Sequence, residues 1–544
     1  MRHDRVGFKI PTRQFLRMCR RAMRRPKVAD SLGMELTGSG LLMRSLAFRR
    51  LLAREVLTDA DKSVGLLLPP SVPAVVGNAA LLLARRMPIN LNYTVSSEIL
   101  NICIARAGIR RILTSRRAME RFEHLKPDAE LVYLEDLKDR VTRADKLVAA
   151  LEAWLVPVTI LERQFGLTQI DPDEVMTIIF TSGSTGDPKG VMLTHHNVGS
   201  NVESFNQALR LKDSDTLIGI LPFFHSFGYT VALWAALMLG PKIVYHFNPL
   251  DARVVGEIGR KHRATLLIAA ATFLRSYVRR VPPEDFASLE LVVTGAEKLP
   301  RDLADAFEKK FGLRPLEGYG TTELSPVVSV NVPAGRAPGH AARQKEGTVG
   351  QPIPGVQAKV VDLQTGQDLG PDKSGMLLIK GPNVMKGYLG EPDKTAEVIR
   401  DGWYTTGDIA EIDREGYIRI TGRESRFSKI GGEMVPHIRI EEVLSQILAP
   451  DPEKVSLAVT SVPDERKGER LIVLHTGLPK LAEQICRELA AAGLPALWVP
   501  APDGFLQVDE IPLLGTGKLD LMRLKELALA KSAATRRPAE ELAK

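Results

Sequence analysis

Cysteine is scarce in this chain of 544 residues, with three in all. Cys19, Cys103 and Cys486 are too few and too scattered for a disulfide framework, which points to a reducing cytoplasm, and none of them is assigned a catalytic role. Long apolar runs are missing as well. The best stretch, Leu221 to Leu239, is broken by His225, Ser226 and Gly228, so no segment is expected to cross a membrane. No secretory signal pattern is evident. Charge of either sign is nearly balanced outside one region. Ten of the 73 Lys/Arg residues and one of the 65 acids fall within residues 1–27, so the whole excess of +8 lies there. No nucleic-acid-binding motif accompanies that charge, which argues against a nucleic-acid partner. What remains, with 44% hydrophobic residues, fits a soluble globular enzyme long enough for more than one domain.

Against these absences stands one dense motif. The apolar run Val175-Met176-Thr177-Ile178-Ile179-Phe180 reads as a buried strand. It passes directly into Thr181-Ser182-Gly183-Ser184-Thr185-Gly186-Asp187-Pro188-Lys189-Gly190. Glycines let backbone N–H groups approach an anion, hydroxyls add donors and the lysine adds charge, so this loop is built to hold phosphate. Gly190 follows Lys189 where a Walker A loop requires Ser or Thr, which argues against an ordinary P-loop ATPase.

Further motifs follow in order: Glu317-Gly318-Tyr319-Gly320-Thr321-Thr322-Glu323, Tyr404-Thr405-Thr406-Gly407-Asp408, Gly422-Arg423 and Pro512-Leu513-Leu514-Gly515-Thr516-Gly517-Lys518. From about Thr12 to about Leu527 the chain thereby resembles the adenylate-forming enzymes: acyl-CoA synthetases, luciferases and peptide-synthetase adenylation domains. The resemblance implies ATP and Mg²⁺ and the activation of a carboxylate as its adenylate. That chemistry crowds negative charge at the α-phosphorus and demands cations and oriented donors. Glu323 suits Mg²⁺ as a hard oxygen ligand. Thr322 can donate to the α-phosphate, Tyr319 can stack on adenine, and Asp408 with Arg423 can hold the ribose. Gly318, Gly320 and Thr321 complete that turn, and Thr181, Ser182, Gly183, Ser184, Thr185, Gly186 and Lys189 form the phosphate loop. Gly295-Ala296-Glu297 resembles the segment lining the adenine and acyl pocket. The family places its adenylation lysine at Lys518, whose mobile ammonium can bridge the carboxylate and the α-phosphate as a point charge.

Within that family the segment Gly422-Arg423-Glu424-Ser425-Arg426 departs from the common pattern, because Arg426 stands where most relatives carry a hinge aspartate. Together with Gly432-Glu433-Met434-Val435, Val132-Tyr133-Leu134-Glu135-Asp136-Leu137-Lys138 and Phe224-His225-Ser226-Phe227-Gly228, it resembles the acyl-acyl carrier protein synthetase domain of bacterial bifunctional 2-acylglycerophosphoethanolamine acyltransferases. The resemblance begins almost at Met1, so the acyltransferase domain of those proteins is expected to be absent and a lysophospholipid acyltransferase to be a separate partner. The implied reaction is transfer of a long-chain fatty acid through acyl-AMP to the thiol of acyl carrier protein, for phospholipid acyl recycling. The alternatives are a long-chain fatty acid-CoA ligase and, in another class, a non-catalytic basic membrane-surface binder. In the acyl pocket the resemblance assigns His225, Phe227 and Gly228. A metal-ligand role for His225 has no second ligand at suitable spacing, a packed core histidine is the ordinary alternative, and an aromatic gate is favoured. Ala269-Ala270-Ala271-Thr272 is expected to leave room for the acyl tail.

Residues Pro11 to Pro26 read as one amphipathic helix capped by Thr12, with Phe15, Cys19, Ala22 and Met23 on one face and Arg13, Arg17, Arg20 and Arg24 on another. Residues 12–27 therefore suit an anionic membrane or an acidic carrier protein, against the alternative of a solvated basic face. The expected localisation is cytoplasmic, peripheral to the inner face of the membrane. A second helix is expected where Leu299, Leu303, Phe307 and Phe311 recur at four-residue spacing, stopped by Gly312. The expected architecture is a large N-terminal adenylation domain of layered α/β sheets (1–421), with a small β-barrel over about 347–421 and turns at Gly355, Gly366 and Gly375. A small mobile α+β C-terminal domain (424–530) and a tail (531–544) follow. By resemblance that small domain rotates between half-reactions, with Lys518 serving adenylation and Lys429 to Gly432 serving thioester formation.

Overall fold

The computed structural model describes residues 9–182, 188–336, 342–423, 426–430, 433–448, 456–464, 467–513 and 519–541. A large mixed α/β N-terminal domain precedes a smaller C-terminal one. The centre of the large domain is a nine-stranded sheet. Six of its strands run parallel, in the order Leu316–Gly320, Leu291–Thr294, Leu266–Ala269, Thr216–Gly219, Lys242–Tyr245 and Pro26–Asp30. Antiparallel strands close both edges. Alternate residues of the buried strands feed separate cores on the two faces. Leu217, Ile243, Leu266 and Leu291 pack on one side; Ile218, Val244, Leu267 and Val292 pack on the other. A four-stranded parallel sheet, Met87–Asn90, Ser63–Leu67, Arg111–Thr114 and Glu130–Tyr133, continues the first of these cores.

The strand expected ahead of the phosphate loop is Val175–Ser182, and it pairs antiparallel with Pro188–Thr194 in the register Thr181↔Lys189. Helix Arg301–Phe311 buries Leu303 and Phe307 and ends on Gly312 at φ +71°, as its spacing predicts, while Leu299 packs just ahead of it. The segment from about Gly347 onward forms a five-stranded antiparallel sheet. Gly375 lies within its strand Ser374–Lys380 rather than in a turn.

In the C-terminal domain the strands Leu457–Asp464, Gly468–His475 and Phe505–Gln507 again alternate between two cores. Val459, Leu471 and Val473 meet residues of helices His437–Leu448 and Ala482–Ala491 on one face; Ala458, Ile472 and Leu474 meet Leu524 and Ala528 of helix Leu521–Glu541 on the other. The tail is thus helical as far as Glu541.

The first helix, Pro11–Arg21, corrects two expectations. Ile10 is its N-cap and Pro11 its first residue, so Thr12 lies inside the helix and buried. Its basic face is also engaged by the protein itself. Arg13 and Arg17 pair with Glu162, Arg20 donates to the carbonyls of Glu152, Trp154 and Val156, and Arg21 and Arg25 reach Asp213. Arginines expected to meet lipid or an acidic carrier thus also dock this helix, while Arg17 and Arg24 of that row remain exposed. Among the described residues no helix is long and apolar enough to cross a membrane.

Candidate active site

Parallel strands deliver the site at their carboxyl ends, where open α/β sheets hold ligands. Leu291–Thr294 runs into Gly295-Ala296-Glu297, and Leu316–Gly320 runs into the short turn Thr322–Leu324. Close backbone contact fixes the composition there. A Cβ on Gly320 would come within 1.8 Å of the Pro326 carbonyl oxygen, and one on Gly228 within 2.0 Å of that of Pro222. Glycine at these two positions is a packing requirement as well as a motif letter.

Asp408 and Arg423 are cross-strand partners, which places their side chains together. Arg423 Nε donates to Asp408 Oδ1 at 2.6 Å, and the Tyr319 hydroxyl donates to Oδ2. A carboxylate as buried as Asp408 needs such partners. Burial first, and the Asp408 charge second, hold the Tyr319 hydroxyl well above its ordinary pKa, so it remains a donor. The Thr322 and Ser226 hydroxyls meet at 3.1 Å. Glu323 accepts from the Tyr388 hydroxyl at 2.9 Å, and the Lys189 ammonium lies 5.1 Å from the centre of the Tyr388 ring. Tyr404 lies buried close by, its pKa raised by burial and then by the charge of Glu323. Neither Tyr388 nor Tyr404 was singled out from the sequence. Tyr404 heads a quoted motif, whereas Tyr388 is distant in the chain and carries no local signal.

Ser226, Tyr319, Thr322, Glu323, Asp408 and Arg423 line a cleft of about 3010 Å³. Thr181, Gly295, Ala296, Glu297, Gly318, Tyr319, Gly320, Thr321, Thr322, Glu323, Asp408 and Arg423 all border it, as do His225 and Phe227. An apolar arm leads away past Phe205, Leu209, Leu217, Val231, Ala235 and Leu266. This apolar lining differs from the expected Ala269-Thr272 stretch. Ala269 and Ala271 pack in the core on the other face of the sheet, and Thr272 is tied to Glu297 through two hydrogen bonds. Gly228, Lys189 and Tyr388 do not line it, though Tyr388 reaches the lining residue Glu323 through its hydroxyl.

From the C-terminal domain come Arg426, Phe427, Glu441, Leu519, Asp520 and Lys525. Lys429 does not line the cleft; it is exposed elsewhere and its backbone N–H is held by Glu469 at 2.7 Å. Gly183, Ser184, Thr185, Gly186, Gly431, Gly432 and Lys518 lie outside the described residues, as does the side chain of Ser182.

The donor set fits a nucleotide and a hard divalent ion. Thr321 Oγ1 borders the cleft as a buried hydroxyl oxygen without a partner among the described residues. Glu323 offers one carboxylate, and no cluster of three or more acidic, His or Cys ligands exists among the described residues. One carboxylate supplemented by phosphate oxygens and water is how Mg²⁺ is commonly held.

This architecture, with a cleft at strand ends covered by a small second domain, defines a two-domain α/β protein with a nucleotide-type site. Residues 15–389 match the family of AMP-binding enzymes, and the chain belongs to that family. It is 32% identical to the long-chain-fatty-acid–CoA ligase of Bacillus subtilis (strain 168) over 372 residues, covering 66% of this chain and 63% of that enzyme. It is 27% identical to the enzyme of the same name from Salmonella typhimurium over 528 residues, covering 92% of this chain and 91% of the relative. The match thus spans less than two thirds of the Bacillus enzyme and nearly all of the Salmonella one. Among solved structures, ATP-bound MatB from Rhodopseudomonas palustris is similar with a TM-score of 0.77 and 27% identity, over 95% of this chain and 98% of that one. The o-succinylbenzoate CoA synthetase of Bacillus subtilis shares the fold with a TM-score of 0.78 at 22% identity, over 94% of this chain and 98% of that one.

Proposed function

We propose that the protein is an AMP-forming acid-thiol ligase that activates a long-chain fatty acid with ATP and Mg²⁺ and passes the acyl group to a thiol. The observation that carries this reading is one cleft combining the Asp408–Arg423–Tyr319 cluster, Thr322 and Glu323 with an apolar arm. Asp408 and Arg423 orient the ribose; Tyr319 supplies a ring face and Thr321 and Thr322 supply hydroxyl donors. Glu323, oriented by Tyr388, would hold Mg²⁺, which would supply positive charge against that of the phosphates. A carboxylate oxygen of the fatty acid attacks the α-phosphorus and pyrophosphate departs. The thiolate then attacks the acyl carbonyl carbon and AMP departs. The phosphate loop Thr181–Lys189 and Lys518 serve the first step. The segment around Lys429 serves the second, after rotation of a domain beginning near residue 424. His225 and Phe227 gate the acyl arm.

Coenzyme A is the acceptor that the long-chain-fatty-acid–CoA ligases point to. A second acceptor, the thiol of acyl carrier protein, is favoured by the resemblance of the Arg426 segment to acyl-acyl carrier protein synthetase domains; Arg426 itself ion-pairs with Glu441. The protein, incubated with palmitate, ATP and Mg²⁺, is offered CoA and holo-acyl carrier protein in parallel while thioester and AMP are measured. Acyl-CoA alone establishes the CoA ligase. Carrier-linked product with little acyl-CoA establishes the carrier protein ligase. ATP and palmitate without AMP release would overturn the activation chemistry itself.

A further inference from the structure

Helix Arg143–Trp154 is inside out. Its buried side is Asp145, Ala149, Glu152 and Ala153. The alanines allow close approach to helix Gly38–Leu51. Asp145 is compensated by Arg54 at 2.7 Å and Arg50 at 3.5 Å, and by the capping box it forms with Thr142. The outer side carries the large apolar residues: Leu147 is 61% exposed, Leu151 44%, Trp154 46% and Leu155 72%, and Ile160 of the next helix, Val158–Gln164, is 50% exposed. Spacings of three and four place Leu147, Leu151, Trp154 and Leu155 in one stripe. A helix that hides its acids and shows its leucines inverts the usual amphipathic arrangement.

The charges are sorted in the same way. Over residues 143–164 the acids Asp145, Glu152 and Glu162 are all buried, while Arg143, Lys146 and Arg163 are all exposed. Glu162 is covered by Arg13 and Arg17 of the first helix, which extends the cationic rim along one side. A stretch neutral by composition therefore presents an apolar stripe whose own exposed charges, Arg143, Lys146 and Arg163, are all positive.

We infer that this face docks on an anionic lipid bilayer. Leucine and isoleucine side chains enter the headgroup–acyl boundary, tryptophan settles at the interface, and the arginine and lysine rim meets lipid phosphates. A second copy of the chain is a poor occupant, because a two-fold contact through this patch sets one cationic rim against the other. No residue from 143 to 164 borders the cleft, so the docking face and the cleft share no side chain. The surface stands independently of the thiol acceptor and of the activation chemistry.

The test is cosedimentation of the full chain with vesicles of phosphatidylcholine containing phosphatidylglycerol, and with phosphatidylcholine alone, at low and high salt. The wild type binds the anionic vesicles, more weakly at high salt, and its tryptophan emission shifts to the blue. The shift is lost in Trp154→Phe. Combined Leu147→Gln, Leu151→Gln and Leu155→Gln lowers partitioning about tenfold or more, given the apolar area removed from the bilayer, with melting temperature and AMP release unchanged. Absence of wild-type binding to anionic vesicles overturns the inference, as does equal binding by the triple variant. A concentration-dependent dimer abolished by the triple variant would assign the face to a second copy instead. Binding of an acidic carrier protein, lost in the triple variant while vesicles fail to bind, would assign it to a protein partner.

Discussion

Glu323 has a neighbour that its motif did not announce. The Tyr388 hydroxyl donates to one of its carboxylate oxygens at 2.9 Å across 65 residues of sequence. Groups that orient a metal ligand commonly matter almost as much as the ligand. Tyr388→Phe is therefore expected to raise the Mg²⁺ concentration for half-maximal AMP release about tenfold with ATP affinity little changed. A titration of AMP release against Mg²⁺ checks this. Asp408 teaches a related lesson. Its place in a Thr-Gly-Asp motif marked it as a ribose acceptor, but only the register Asp408↔Arg423 and the Tyr319 hydroxyl show why a carboxylate is tolerated in so buried a position.

Where the two domains meet, the elements are held by a small polar cluster. Arg426 is buried, ion-paired with Glu441 of helix His437–Leu448, and donates to the Val459 carbonyl at 3.3 Å. Removing one partner of a buried pair leaves a charge without compensation, at about 3–5 kcal/mol. Glu441→Ala is expected to lower the melting temperature of the C-terminal domain, and Arg426→Met with Glu441→Leu to restore much of it. Calorimetry of the single and double variants decides. His437 begins the same helix and meets the Ser428 hydroxyl. Burial, with Arg426 and Lys525 nearby, pushes its pKa down to about 3 from the ordinary 6.5. The folded state keeps it neutral while the unfolded chain protonates it. Its stabilising contribution is thus whole above about 6.5 and is lost as pH falls from there toward 3, at a slope of at most about 1.4 kcal/mol per unit. Melting curves from pH 7.5 down to about 4.5 should fall more steeply for wild type than for His437→Gln. Parallel curves would remove His437 from the account.

At the scale of the whole molecule, the cleft receives Leu519 and Asp520 from the small domain while Lys429 is exposed elsewhere. Lys518→Ala is expected to abolish acyl-adenylate formation and spare ATP binding. Lys429→Ala is expected to spare adenylation and slow thioester formation from supplied acyl-AMP. Single-turnover assays of each half-reaction check the split, and equal losses in both would disconnect it from domain rotation. Much of this was legible in residue order, because the chemistry needs short local motifs. Strand Val175–Ser182, the Gly312 helix stop and the cleft-lining Tyr319–Glu323 turn all followed from neighbours along the chain. Other features depended on long-range contacts. The apolar part of the cleft is made by residues from several strands and helices, and Ala269 and Ala271 of the stretch expected there turned to the opposite face of the sheet. Helix Pro11–Arg21 read as a basic surface because its partners, Glu162 and Asp213, lie far along the chain. By itself the sequence determined many element types and the order of the motifs that meet at the cleft, since hydrophobic period and turn chemistry act within a few residues. Which charges are neutralised, which leucines are left facing outward and which carboxylates are oriented were decided only in the tertiary structure, because burial and ion pairing depend on segments that folding alone brings together.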